Sequence, residues 1–343
     1  MAGAVRTALT IAAGALAWLG PGPQSALQPS RPFEPGAVVE HVEMDPAETF
    51  VKMIREPEAD LAIIGAIRTT ADGTRLAAWF HQVEQLQRGA YIPILRRFSD
   101  PPRIEDLAAL VLDEDDLDEL RECRPRHCDL KLSAAEMDQM RGAIGGAGRA
   151  WRRAAQNAFR QIVLQRARVY LARGFKGTPP YDDQKRPVWI AEEFERLLEG
   201  CGLAGLRTPA IAGYLRSYPN GHGDHVESFL FWSKDLLGDA KPIVGITAVD
   251  IFHVPAAADP VVVASTQVFA THYITASLSL TSIVQEPETA VNYLVYARCT
   301  RADVFHGTFG GLLRRIAQKR IRAEGPAVLE GLRRKLESGM PAR

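Results

Sequence analysis

A chain of 343 residues that is 46% apolar and 24% charged is long enough to bury a sizeable core, and its balance excludes disordered, collagenous and multi-span membrane architectures. Its 41 Lys and Arg cancel its 41 Asp and Glu, so the excess of cations with which a nucleic-acid binder displaces counterions is missing from the molecule as a whole. No nucleic-acid partner is expected.

The opening MAGAVRTALTIAAGALAWLG carries one cation at Arg6 and an apolar run from Ala8 to Leu19, then meets Gly20-Pro21-Gly22-Pro23, where a helix stops. That is the charge, apolar stretch and break of a secretory signal. The run is about a dozen residues, short of the roughly 20 of a spanning helix. Residues 1–26 are therefore expected to direct export, either cleaved or kept as an anchor, and a Pro-, Ser- and Gln-rich linker occupies 27–40.

Residues 41–101 open the folded body. Asp60 to Ile67 is β-prone and is followed by Asp72-Gly73, a turn signal; Leu76, Trp79, Phe80, Val83 and Leu86 then recur at helical intervals. A strand leads into an amphipathic helix.

Residues 102–216 carry helical patterns and almost no alternation. Leu107, Leu110, Val111 and Leu117 mark one helical stretch, Trp151 to Tyr170 a long one, and Ile190 to Leu198 another that ends near Gly200. The acidic run Asp113-Glu114-Asp115-Asp116 lacks the spaced ligands of a calcium loop and reads as a solvated loop or helix N-terminus. Gly142, Gly145, Gly146 and Gly148 follow a helical pattern without a Lys-Ser/Thr pair behind them, so no phosphate loop and no cofactor are expected.

Four cysteines fall at 123, 128, 201 and 299. In an oxidising compartment Cys123 and Cys128 can bridge across the turn Arg124-Pro125-Arg126-His127. The competing use of Cys123, His127 and Cys128 as metal ligands suits a tetrahedral centre badly, because His127 and Cys128 are adjacent. Cys201 and Cys299 read as small buried hydrophobes.

From 217 to 343 the period becomes two. Val244 to Val254 alternates between Pro242 and Pro255, Val262 to Val284 is long enough for two strands, and Val291 to Cys299 makes another. Their short connections make them antiparallel. One helix from Phe309 to Leu336 closes the chain, with Gly325-Pro326 marking a kink or break. The fold class is thus α+β: an antiparallel sheet packed on a long C-terminal helix, helix-grip-like, with a large inserted helical block.

This order, ending in VNYLVYARCTRADVFHGTFGGLLRRIAQKRI, resembles START-like lipid-transfer domains, in which a curved sheet wraps a C-terminal helix around an apolar cavity. The stretches CRPRHCDLKL, ESFLFWSKD and VFATHYITASLSLT, with that tail, also resemble an uncharacterised family of exported bacterial proteins. The first resemblance implies a small-molecule cavity and the second implies export.

Candidate site residues come from polar groups on apolar faces. In Val262 to Val284 the even positions Val262, Ala264, Val268, Ala270, Ile274, Ala276, Leu278 and Leu280 are apolar and the odd positions Thr271, Thr275, Ser277, Ser279 and Thr281 are hydroxylated, which puts His272 on the inward face; the apolar face of the preceding strand holds Asp250. Pairing the two would satisfy both, either as a structural bond or as a ligand-orienting pair. With Arg298 they make the expected ligand set for an apolar or amphipathic, lipid-like molecule between the sheet and the last helix. His222, Asp224 and His225, on a Gly-rich loop, could instead hold the metal of a periplasmic hydrolase. A module with a filled core and no small-molecule site is the third reading. Between Arg298 and Arg343 there are eleven Lys and Arg against four acids, a balance suited to an anionic membrane surface or to a solvated helix face.

Overall fold

The computed structural model describes residues 49–54, 56, 59–201, 209–221, 225–236, 240–253, 261–286 and 289–340. The expected signal and linker, and His222 and Asp224, lie outside the described residues.

Eight strands form one antiparallel sheet: β1 (Phe50–Ile54), β2 (Leu61–Thr69), β3 (Ile94–Arg97), β4 (Val226–Asp235), β5 (Ile243–His253), β6 (Val261–Ala270), β7 (Ile274–Gln285) and β8 (Asn292–Ala302), in the order β1-β2-β8-β7-β6-β5-β4-β3. Strands β4 to β8 follow one another as a meander, and β2 then pairs with β8 along its whole length, Leu61 opposite Thr300 and Thr69 opposite Asn292. The first and last parts of the chain therefore meet inside the sheet, and β3 is left at the far edge.

Between β2 and β3 lie α1 (Gly73–His81) and α2 (Val83–Gln87). The Asp72-Gly73 turn signal is the start of α1: the Asp72 carboxylate accepts from Arg75 N at 2.8 Å and caps the helix. The single helix expected here is two, parted at Gln82. Between β3 and β4 come α3 (Glu114–Glu122), α4 (Ala134–Gly145), α5 (Trp151–Arg173), α6 (Ile190–Gly200) and α7 (Pro209–Ser217). The acidic run opens α3, where carboxylates favour the positive end of the helix dipole. Ser133 and Glu136 form a reciprocal capping box at the start of α4. At the end of α5, Gly174 has φ +61° and a Cβ there would lie 2.1 Å from the Tyr218 carbonyl oxygen, so only glycine fits.

The last helix, α8 (Gly310–Glu337), runs through Gly325-Pro326 without ending. Its inner face is set by Leu313, Ala317, Ile321, Leu329 and Leu336, at intervals that keep one side apolar. A Cβ at Gly310 would lie 2.0 Å from the Phe305 carbonyl oxygen, so the first turn can approach the end of β8 only because residue 310 has no side chain.

Helices cover both faces of the sheet. One core joins α1, α2 and α8 to Ile63, Phe229, Phe231, Val249, Ile251, Val263 and Leu294. The other joins α3 to α7 to the alternate positions, among them Trp232, Ile246, Ala264, Leu278, Val295 and Cys299. The inserted block is thus the second helical layer, burying the sheet face that the grip helix leaves uncovered.

Two disulfides are present. Cys123–Cys128 closes the expected turn, in which Arg124 and His127 exchange backbone hydrogen bonds and Arg126 takes φ +71°. Cys201 and Cys299, expected as thiols, are bridged to each other. Cys201 ends α6 and Cys299 lies on the block-facing side of β8, so this bond staples the second layer to the centre of the sheet.

Candidate functional site

The expected ligand residues fall in three separate places. His272 and Asp250 are not paired, and both lie on the block side of the sheet. Arg298 faces α8. The reason is topological: with helices on both faces neither side of a strand is simply inward, and the hydroxylated odd positions of β7 point toward the grip helix.

Arg298 belongs to a polar patch on the side of the sheet that carries α8. It sits between Ala297 and Cys299, which pack on the block, so its own side chain takes the other face, where Nε donates to Ser277 Oγ at 3.0 Å and to Thr300 Oγ1 at 3.2 Å. Thr247, Ser265, Gln267, Ser279 and Tyr296 on β5 to β8 share that face and are half-exposed, although they stand on interior strands. Solvent reaches them because α8 lies across β1 and β2 while α1 covers only part of β6 and β7. Tyr91 bounds the opening: its carbonyl accepts from Leu236 N, just past β4, at 2.7 Å, and its hydroxyl donates to Glu324 of α8 at 2.8 Å.

Asp235 stands on the same side of the sheet. It follows the buried Ser233 by two residues on the same face of β4. Its Oδ1 is shut off from solvent and accepts no hydrogen bond. Burial pushes the carboxyl up to about 6, against the smaller opposing effects of the Ser233 hydroxyl and the Arg298 charge. Asp235 and Arg298, opposite in charge, thus share one side of the sheet.

His272 occupies the turn between β6 and β7 and is 2% exposed. Its Nδ1 lies 3.1 Å from the Asp129 carbonyl oxygen and its Nε2 3.3 Å from the Asp116 carboxylate. Lys241 reaches Asp129 at 2.6 Å and Asp116 at 3.5 Å. Burial acts to raise the Asp116 carboxyl, but the His272 hydrogen bond and the His272 and Lys241 charges together hold it below the usual carboxylate range. Beside this group Lys131, 1% exposed, is paired with Asp183 at 3.4 Å and with Asp303. The turn is rigid: Thr271 exchanges hydrogen bonds with the Val244 backbone and its carbonyl accepts from Lys131 N. Arg166, also 1% exposed, makes a two-pronged pair with Glu136 at 2.7 and 2.6 Å. Every charge in this knot is held by an opposite one, which suits it to fastening the block onto the end of the sheet.

Asp250, 1% exposed, has different partners. Its Oδ1 accepts from Ser228 Oγ at 2.5 Å and from the Tyr214 hydroxyl at 3.4 Å, while Oδ2 is buried without a partner. Burial pushes this carboxyl up to about 6, with both hydroxyls acting to lower it. The native pKa lies above the ordinary 3.8, so between those values the folded protein binds more protons than the unfolded chain. The stability from this group is greatest below the window and falls as pH rises through it. In urea melts from pH 3.5 to 7, Asp250→Asn should remove about 2–3 kcal/mol of that decline; a variant with the same pH slope as the parent would show that Asp250 ionises freely in the fold.

Of the proposed metal ligands, His225 is described and exposed, and its carbonyl accepts from His253 N at 2.9 Å. Among the described residues no three His, Cys, Asp or Glu side chains are gathered as a metal site. Asp235, Asp116, Lys131 and Asp183 were not expected from sequence. Arg166 carried a legible signal, since it lies at helical spacing within the stripe of Phe159, Ile162, Val163 and Tyr170.

Comparisons with protein families, with curated proteins and with solved structures return no match, so the geometry of these three places is the basis for a functional reading.

Proposed function

We propose that this protein binds an amphipathic small molecule on the polar sheet face beside α8, with Arg298 anchoring the ligand's anionic end. The observation that carries this reading is the partial exposure of polar side chains on interior strands beside the helices of that face. A filled core would place apolar groups there, as the same sheet does on its other face. The hydroxyl and amide lining suits a ligand with several hydrogen-bonding groups, and the apolar side chains of α1 and α8 beside it suit an aliphatic part. The same reading takes the chain to be exported, since two disulfides suit an oxidising compartment. No helix among the described residues is long and apolar enough to cross a membrane.

Titration with a fluorescent fatty acid tests the reading. Arg298→Met, which keeps the aliphatic stem, should weaken uptake by about tenfold or more, the scale of a lost charge-assisted hydrogen bond. A thermal melt serves as the control for folding. Equal uptake by the parent and Arg298→Met would remove Arg298 as the anchor. Native mass spectrometry of protein purified from its source that shows only the bare chain would count against a resident ligand.

A further inference from the structure

The outer side of α8 presents Leu312, Arg315, Lys319 and Arg322 to solvent, intervals of three and four that keep them on one face of the helix. No exposed position of α8 is acidic. Its acids Glu324, Glu330 and Glu337 are half-buried and paired with Arg320 and Arg333 of the same helix. Arg315, Lys319 and Arg322 are exposed and make no ion pair or hydrogen bond among the described residues. At the N-terminal end of this stripe stand two large apolar side chains, Phe309 at 56% and Leu312 at 54% exposure.

We infer that this face docks on an anionic lipid surface, with Phe309 and Leu312 entering the boundary between headgroups and acyl chains and Arg315, Lys319 and Arg322 meeting the lipid phosphates. Two features favour a bilayer over an acidic protein. The apolar pair of the face is gathered at one end, beside the cations rather than ringed by them. The cations follow one line over roughly 10 Å of helix, at 1.5 Å per residue, and their long stems let the charge reach headgroups while the helix lies flat. This inference does not depend on what the polar sheet face binds.

Co-sedimentation of the full chain with vesicles tests it, using phosphatidylcholine alone and phosphatidylcholine mixed with phosphatidylglycerol. The protein should partition onto the anionic vesicles only, and less so as salt rises. Arg315→Gln, Lys319→Gln and Arg322→Gln together should lower that partition by about a hundredfold, about fivefold per cation. The pair Phe309→Ser and Leu312→Ser should lower it by about tenfold or more. Melts of both variants should match the parent, because every altered side chain is exposed. The inference is overturned by absence of binding, by equal binding to neutral vesicles, or by either variant binding like the parent. Competition by polyglutamate that does not depend on Phe309 and Leu312 would assign the face to an acidic protein and also overturn it.

Discussion

Replacing Cys201 and Cys299 together by alanine should destabilise the protein by roughly 4–5 kcal/mol, the loop-closure estimate for a bridge that spans 98 residues of the unfolded chain. The same replacement of Cys123 and Cys128, five residues apart, should cost about 2 kcal/mol by the same relation. The ranking follows from topology as well as entropy. The short bridge closes a turn that already holds itself by two backbone hydrogen bonds, whereas the long one joins α6 to a central strand and ties two layers together. Urea unfolding of the two double variants measures both effects. The variant without Cys201–Cys299 should also show the steeper denaturant dependence, since its unfolded chain expands further. An equal loss in the two variants would mean that the block holds to the sheet by packing alone.

The strands of the meander and the closing helix were legible because their signals are local. Alternation from Val244, the excess length of Val262 to Val284 and the four-residue spacing from Leu313 each depend on one segment's own burial. The antiparallel sheet with a C-terminal helix on it followed from their order. Short or edge elements carried less signal: β1 and β3 span five and four residues, too few for a period to emerge. The choice of face was beyond a strand-by-strand reading. Alternation tells which residues share a side of β7, but the hydroxylated side points to α8 only because the inserted block covers the apolar one. That pairing of layers is set by contacts far apart in sequence.

The same limit explains the site. His272 was legible as a buried polar residue, and it is one. Its partner is Asp116, 156 residues away and in another layer, where the sequence shows only an acidic run whose other members are solvated. Asp250 was legible in the same way, yet its partners Ser228 and Tyr214 offer neutral hydroxyls. Arg298 lies on the side of the sheet that carries α8, where Ser277 and Thr300 accept from it.

Lys131→Met should be the most damaging single substitution on the block side, with an expected loss of about 3–5 kcal/mol at neutral pH. Nothing in its local sequence shows this, because Leu130 and Leu132 on either side are buried as well. The ammonium is enclosed, with Asp183 and Asp303 against it; burial is the largest single effect and lowers its pKa, but the Asp303 and Asp183 charges and the Asp303 hydrogen bond together outweigh it and hold the pKa above the ordinary lysine value. Asp183 is already held above the usual carboxylate range, first by burial and then by the neighbouring Asp303 charge, even with Lys131 in place. Removing the cation leaves two carboxylates close together with one of them buried, so Asp183 must take up a proton or the fold must open. The native pKa of Asp183 then rises further, and the variant's stability falls as pH increases through the widened window between the unfolded and folded values. Its deficit should therefore be smaller at pH 5 than at pH 7.5. Adding Asp183→Asn to Lys131→Met should restore part of the loss at pH 7.5 and flatten that pH dependence, since the two sites share one interaction. If the double variant is no more stable than Lys131→Met, the energy resides in packing around the lysine stem and not in the ion pair.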